Sequence, residues 1–280
     1  MDDRPREPRE PREQVKSLIA VVLTFASGAT DVVSFTHLGS VFTSVMTGNI
    51  VLLGLAVAHA SVSLATHTTT SIAGYIAGVA VSTWIARGFG ASPAEKFDDS
   101  RASGLPSHVI WALFAEFILF AGFALGWEIS GANPAGWAQF CLLATVAAAI
   151  GMQSATVNRM NLSDVGTTYL TGTLTTLVAS LVSPGQKTLN KLRRFGVLFG
   201  LAAGAGLSGL LIKTATAGAP ALQLTALGTA LVLATAPARW QQRLTSRPQL
   251  PPGPAPQSAA DRHGQDRGSL ARSGEGLYPR

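Results

Sequence analysis

Charge is scarce in this chain. Only 13% of its 280 residues are Asp, Glu, Lys or Arg, where an ordinary soluble domain carries roughly 25%. Of those 36 residues, 20 fall in residues 1–16 and 239–280, leaving 16 for residues 17–238. So few charges cannot cover the water-facing surface of a soluble fold of that length, and the middle segment is predicted to be a membrane domain. Cysteine is scarcer still. Cys141 stands alone, which excludes an internal disulfide, a four-thiolate zinc site and a thiolate-held cluster. The phosphate-cradling pattern Gly-x4-Gly-Lys-Ser/Thr does not occur, so direct coupling to ATP within the chain is not expected. His37, His59 and His67 fall near helix ends without the i, i+4 spacing of a metal pair, and His108 stands alone. No metal or other cofactor is therefore expected. Gly206-Leu207-Ser208-Gly209 imitates the serine motif of intramembrane rhomboid proteases, but that chemistry needs a histidine base on a later membrane helix. The only later histidine is His263, far into the C-terminal tail. The chain is not expected to be an enzyme.

The net charge of +6 divides into 0 for residues 1–16, +2 for residues 17–238 and +4 for residues 239–280. No folded basic face is left to hold a nucleic acid, and the expected partner is the bilayer. Residues 1–16 alternate charge signs around Pro5, Pro8 and Pro11 and read as a disordered tail; residues 239–280, rich in Pro, Gly, Arg and Ser, read as a second, basic one.

Between the tails, six stretches approach the roughly 20 apolar residues needed to cross a hydrocarbon core of about 30 Å: 17–38, 68–85, 108–129, 136–157, 195–212 and 219–236. Two shorter apolar stretches, 42–58 and 167–182, open with polar runs (Thr43, Ser44, Thr47, Asn49; Thr167, Thr168, Thr171, Thr173). If neither short stretch crosses and the N-terminus is cytosolic, Arg87, Lys96, Arg101, Arg159, Lys187, Lys191, Arg193 and Arg194 all face the cytosol, and only Lys213 lies outside. Counting all eight as crossings strands five cations outside, so the positive-inside rule favours six. The predicted fold is all-α: six crossing helices plus two short polar-headed half helices, with both termini cytoplasmic.

A shift of 124 residues lays Val41 to Asn49 over Val165 to Thr173 with Val, Thr, Thr and Gly coincident, and one residue of slip brings Gly28 onto Gly151. The chain thus reads as two copies, about 17–130 and 136–238, each a long helix, a short helix and two long helices. Three crossings per copy is an odd number, so the copies are predicted to be inverted relative to each other, as in many secondary transporters.

Gly28 and Asp31 in the first helix, Phe42, the run Thr47-Gly48-Asn49, then Thr167-Thr168 and Thr171-Gly172 form an ordered set that resembles the YoaK-like family of bacterial integral membrane proteins. The resemblance covers about residues 17–236. It implies a multi-helix inner-membrane protein of unassigned function and supplies no substrate.

Candidate site residues follow from what is costly in a membrane. Thr47, Gly48 and Asn49, and Thr171, Gly172 and Thr173, stand at expected helix breaks, where irregular backbone must face protein or a water-filled cavity; two opposed helix N-termini there would favour anionic or partly negative groups. The structural reading is close helix packing with the threonines bonded to their own helices. Asp31 and Glu116 are acids inside long apolar helices. Such residues usually face a cavity or a partner, and either is a candidate to carry a proton; the plain alternatives are hydration near the outer face or a structural hydrogen bond to a threonine for Asp31, and access to water on the inner half for Glu116, eight residues from His108. Gln153, on the repeat-related helix, is a weaker candidate for the same pathway. Gly74 with Gly78, Gly122 with Gly126, and Gly196, Gly200 and Gly204 recur every four residues and are expected to let helices approach closely, faces that also suit a homo-oligomer. The leading expectation is a channel or proton-coupled secondary transporter for a small polar solute. The alternative is a membrane scaffold or sensor that moves nothing.

Overall fold

The structure, a computed structural model, describes residues 10–89, 105–160, 170–182 and 188–236. All of them belong to one compact unit spanning Met1–Thr245. The expectations for the tail after residue 238, and for Thr167 and Thr168, lie outside the described residues. Eight α-helices are seen among them: α1 Glu10–His37, α2 Met46–Ala58, α3 Val62–Gly88, α4 Ser107–Ile129, α5 Trp137–Arg159, α6 Leu170–Val182, α7 Thr188–Thr214 and α8 Ala221–Thr235. Six are long and apolar enough to cross a membrane, with a 3-10 turn at Thr216–Gly218 extending the last. The 13-residue α2 and α6 reach only about 20 Å at 1.5 Å per residue, short of a full crossing.

Three helices start earlier than their apolar runs. α1 begins at Glu10 rather than after a disordered 16-residue tail, and its Val15 and Lys16 are buried. α3 begins at Val62, where Ser61 accepts a hydrogen bond from Leu64 N at 3.4 Å; Thr66 then donates to the carbonyls of Val62 and Ser63, and Thr68 to those of Leu64 and Ala65, four and three residues back. These bonds hide hydroxyls that make the stretch look unsuited to a crossing. α7 begins at Thr188, seven residues before Phe195, with Lys191, Arg193 and Arg194 on its first turns. Hydropathy marks where a helix enters hydrocarbon, and backbone bonding continues past that level.

α1 and α5 are the two most enclosed spans. α1 packs most extensively on α7 and next on α8; α5 packs most extensively on α3 and next on α4. The glycines show what sets these contacts. A methyl group at Gly28 would stand 2.1 Å from Leu201 O, and one at Gly151 would stand 2.2 Å from Tyr75 O. At Gly204 it would meet Phe25 O at 2.0 Å, and at Gly78 Ala148 O at 1.9 Å; at Gly200 it would meet Val21 O at 3.1 Å, and at Gly74 Ala144 O at 2.7 Å. Every contact between α1 and α7 in this set has its twin between α5 and α3. First helices correspond at an offset of 123 and third helices at 126, so Phe25 matches Ala148 and Tyr75 matches Leu201. Reciprocal exchange of this kind is what a two-fold relation between the halves produces. Only there can backbones approach so closely, because no Cβ intervenes.

Helix ends sort into two groups. Ser17 and Arg193 are hydrogen bonded, and Arg87, His108 and Arg159 lie within electrostatic reach of one another in sequence. At the opposite end His37 stacks edge-on to Trp127 with centroids 5.4 Å apart, Gln139 Nε2 donates to His37 O at 2.7 Å, and Trp127 Nε1 donates to Thr216 O at 3.2 Å. Trp127 is fully buried, whereas Trp84, Trp111 and Trp137 are exposed. Among the described tryptophans, the latter three have the outward setting of headgroup anchors.

Candidate functional site

The polar residues of the first half converge on the segment between α1 and α2. α1 ends in a turn with positive φ at Gly39 (+97°) and Ser40 (+58°), and a side chain at Gly39 would overlap the His67 ring, 2.1 Å from Cδ2. Ser34 Oγ donates to Val41 O at 2.6 Å. Asn49 grips Phe42 from both sides, its Oδ1 accepting from Phe42 N at 3.0 Å and its Nδ2 donating to Phe42 O at 2.6 Å; Nδ2 also reaches Ser71 Oγ at 3.1 Å. Ser71 Oγ donates to the same carbonyl at 2.6 Å. Asp31 Oδ1 accepts from Thr43 N at 2.8 Å, Thr43 Oγ1 at 2.9 Å and Ser44 N at 2.9 Å, and Oδ2 accepts from Ser44 Oγ. Both oxygens of Asp31 are thus engaged, and the carboxylate fixes a stretch of non-helical backbone whose amides could find no water at this depth.

Asp31 and Asn49 therefore share one network, linked through the consecutive residues 42–44. Thr47 is exposed; Gly48 is half-buried, and a methyl there would lie 3.3 Å from Val45 Cγ1 and 3.5 Å from the Phe42 ring. On α6, Thr171 and Gly172 are exposed with open space around Gly172, and Thr173 is buried. α2 packs on α3 and α6 on α7; neither short helix has the other as a principal neighbour.

Glu116 is placed differently. It is 0% exposed and neither carboxylate oxygen has a hydrogen-bond partner. It lies nine residues into the 23-residue α4, close to the middle of the span. α4 and α5 run antiparallel, since a methyl at Gly126 would stand 2.7 Å from Leu142 Cδ2 while His108, at the other end, feels the charge of Arg159. Ten residues back from Gly126 is Glu116, and ten or eleven forward from Leu142 are Met152 and Gln153. Glu116 and Gln153 are thus level, each on the buried stripe of its helix. Gln153 Nε2 donates to Ser27 Oγ at 2.7 Å and Leu23 O at 3.1 Å on α1, while its Oε1 has no donor. Two buried acceptor groups without donors thus lie at the same depth on neighbouring helices.

Ser208, the serine of the protease-like motif, is buried and donates to Ala29 O at 3.0 Å, a helix-to-helix bond between α7 and α1. Ser34, Ser71 and Gln139 carry bonds that sequence reasoning did not single out; a serine in an apolar helix gives no signal of whether it bonds its own carbonyl or another segment's. Gly196 lies 3.4 Å from Val21 Cγ2 when given a methyl, an ordinary contact, and Gly122 has nothing within 4 Å. Among the described residues no group of three or more His, Cys, Asp or Glu is placed to hold a metal ion.

The comparisons agree with this membrane architecture. The family described as "Protein of unknown function (DUF1275)" matches residues 19–235, the span from α1 to the end of α8. The chain is 30% identical over 167 residues to the UPF0700 transmembrane protein YoaK of Bacillus subtilis (strain 168), covering 59% of this chain and 67% of that protein. No solved structure matches.

Proposed function

The chain belongs to the DUF1275 family, and on that premise we propose that this multi-pass membrane protein is a secondary transporter for a small polar solute, driven by protons, in the inner membrane of a bacterium with both termini cytoplasmic. The observation that carries the reading is Glu116, a fully buried carboxyl without a donor at mid-span, level with the unpaired oxygen of Gln153. An ionised acid at the bilayer centre costs roughly 2.5 to 3.5 kcal/mol on insertion scales, a burden that packing alone gives no reason to keep. A group that is neutral when enclosed and charged when opened to water is what proton coupling requires. The reciprocal contacts of the two halves support the same reading, because alternating access is commonly a rocking of one inverted repeat against the other. In this scheme Glu116 carries the proton, Gln153 receives its hydrogen bond and passes the coupling to α1, and Asp31 holds the α1–α2 segment in place.

The scaffold or sensor reading is favoured by one observation, the complete engagement of Asp31 and Asn49 within their own loop. Flux separates the two. In proteoliposomes with an internal pH dye, screened against small polar metabolites, one solute should drive proton movement, and Glu116→Gln should abolish that movement while leaving the protein folded. Vesicles with no solute-dependent signal across the screen would favour the scaffold, and an unchanged signal in Glu116→Gln would remove Glu116 from the mechanism.

A further inference from the structure

Two arginines and a histidine lie at one end of the bundle: Arg87 on the last turn of α3, His108 on the first turn of α4 and Arg159 at the end of α5. Arg159 lies within electrostatic reach of Arg87, and His108 within reach of Arg159. Nη1 of Arg159 is buried and has no hydrogen-bond partner. The acids whose side chains are described are Asp31, Glu116 and Glu128. Asp31 is bound to the α1–α2 segment, Glu116 lies near mid-span, and Glu128 is at the far end of α4, so none of them neutralises the cluster. A guanidinium N–H removed from water with no acceptor among the described residues is costly, and two arginines at one end of the bundle with no counter-ion among those residues add repulsion. Both costs vanish when an anion is seated between them, and Arg in a fork geometry suits phosphate best.

A groove of about 790 Å³ opens beside this cluster, between α3 and α4 with α5 as its floor. Its walls are apolar and include Trp84, Ile85, Trp111, Phe114, Ile118 and Met152. Arg87 lies between Ile85 and Gly88, both of which line the groove; Trp111 is one helical turn from His108; Met152 is two turns from Arg159. The groove's lining therefore begins within one or two helical turns of these three residues and runs toward the middle of the span. Trp84 and Trp111 are 75% and 54% exposed, the setting of aromatic rings at headgroup level. A basic end beside an apolar trough has the chemistry of one molecule class, an anionic amphiphile lying parallel to the helices. Basic pockets between membrane helices are the usual form of such lipid sites.

We propose that Arg87, Arg159 and His108 hold the phosphate headgroup of an anionic membrane phospholipid whose acyl chain lies in the groove between α3 and α4. Tryptophan fluorescence tests this directly. The full chain is placed in nanodiscs carrying a small, equal fraction of brominated phosphatidylglycerol or brominated phosphatidylcholine, and quenching by bromine is read as the difference between the chain and its Trp84→Phe/Trp111→Phe variant. Occupancy by the anionic lipid should exceed that by the zwitterionic one by on the order of tenfold, since each Lys or Arg near the surface contributes comparably. The Arg87→Gln/Arg159→Gln variant, checked for unchanged elution and helical circular dichroism, should quench equally with both lipids. Equal quenching in the unaltered chain, or a preference that survives in the double variant, would overturn the proposal. So would loss of the preference on adding millimolar inorganic phosphate at matched ionic strength, which would assign the cations to a free anion. If the double variant does not fold, Arg159→Lys, which keeps the charge and loses the planar fork, should weaken the preference, and an unaltered preference there counts against the site.

Discussion

At the residue scale the two intramembrane acids look alike in the sequence and have opposite surroundings. Asp31 accepts four hydrogen bonds, two of them from backbone amides, and Glu116 accepts none. The sequence carries the presence of both acids, because a charge in an apolar run is visible at once. Their environments are not legible there, because Thr43 and Ser44 reach Asp31 only after the chain has turned at Gly39. The expectation for Asp31→Asn follows from donor geometry: the amide oxygen can still accept from the Thr43 and Ser44 amides, and the Ser44 hydroxyl can rotate to accept from Nδ2. Asp31→Asn should lower stability by about 1 kcal/mol, the difference between charged and neutral hydrogen bonds. Asp31→Ala leaves two backbone N–H groups without acceptors at roughly 1 to 3 kcal/mol each, and should cost several kcal/mol. Thermal unfolding in detergent, followed by circular dichroism, checks the ordering. Equal midpoints for the two variants would mean that Asp31 does not organise the segment.

At the element scale the informative residues are the glycines. Their four-residue spacing is legible without a structure and says that a face is smooth; it does not say which helix lies against it. The partners, α7 on α1 and α3 on α5, emerge only from tertiary packing, and with them the offsets of 123 and 126 that a constant shift of 124 blurs. One residue of slip before the first helix pair and two after the short helix are enough to hide the correspondence of Gly78 with Gly204. Reciprocity makes a paired prediction. Gly78→Ala and Gly204→Ala each push a methyl to about 2 Å from a carbonyl oxygen of the partner helix, which the backbone can relieve only by moving apart. Each should lower the unfolding midpoint by a similar amount, equivalent to roughly 1 to 3 kcal/mol as for other overpacked sites. Gly122→Ala, with nothing within 4 Å of the new methyl, should leave the midpoint unchanged or raise it. The Asp31–Asn49 network, by contrast, is not duplicated. At the same offsets Asp31 corresponds to Ser154 and Ser71 to Val197, and Asn49 falls on Thr173 at the shift of 124. The halves thus share their packing and differ in polar chemistry.

For the whole molecule the decisive property is which way each half enters the membrane. Contacts place Ser17, Arg87, His108, Arg159 and Arg193 at one end, and His37, Trp127, Gln139 and Thr216 at the other. Each long helix therefore reverses the direction of the one before it, provided that α2 and α6 do not cross. Four of the arginines and lysines with described side chains, Arg87, Arg159, Arg193 and Arg194, belong to the first end, with Lys16 beside Ser17; only Lys213, in the last turn of α7, belongs to the second. Cytoplasmic loops carry the excess of Lys and Arg, so the first end should be cytosolic. Reporter fusions after Ser92, Ala132, Gln186 and Thr216 should accordingly read cytosolic, external, cytosolic and external. The fusion after Ser92 is the most discriminating of the four, because a crossing by α2 would put it outside and would give the first half an even number of crossings. The two halves would then enter in the same direction, and the reciprocal contacts of α1 with α7 and α5 with α3 could not arise from an inverted pair. A cytosolic reading there, with an external one after Ala132, leaves three crossings in the first half, and α5 must then begin on the side opposite to α1.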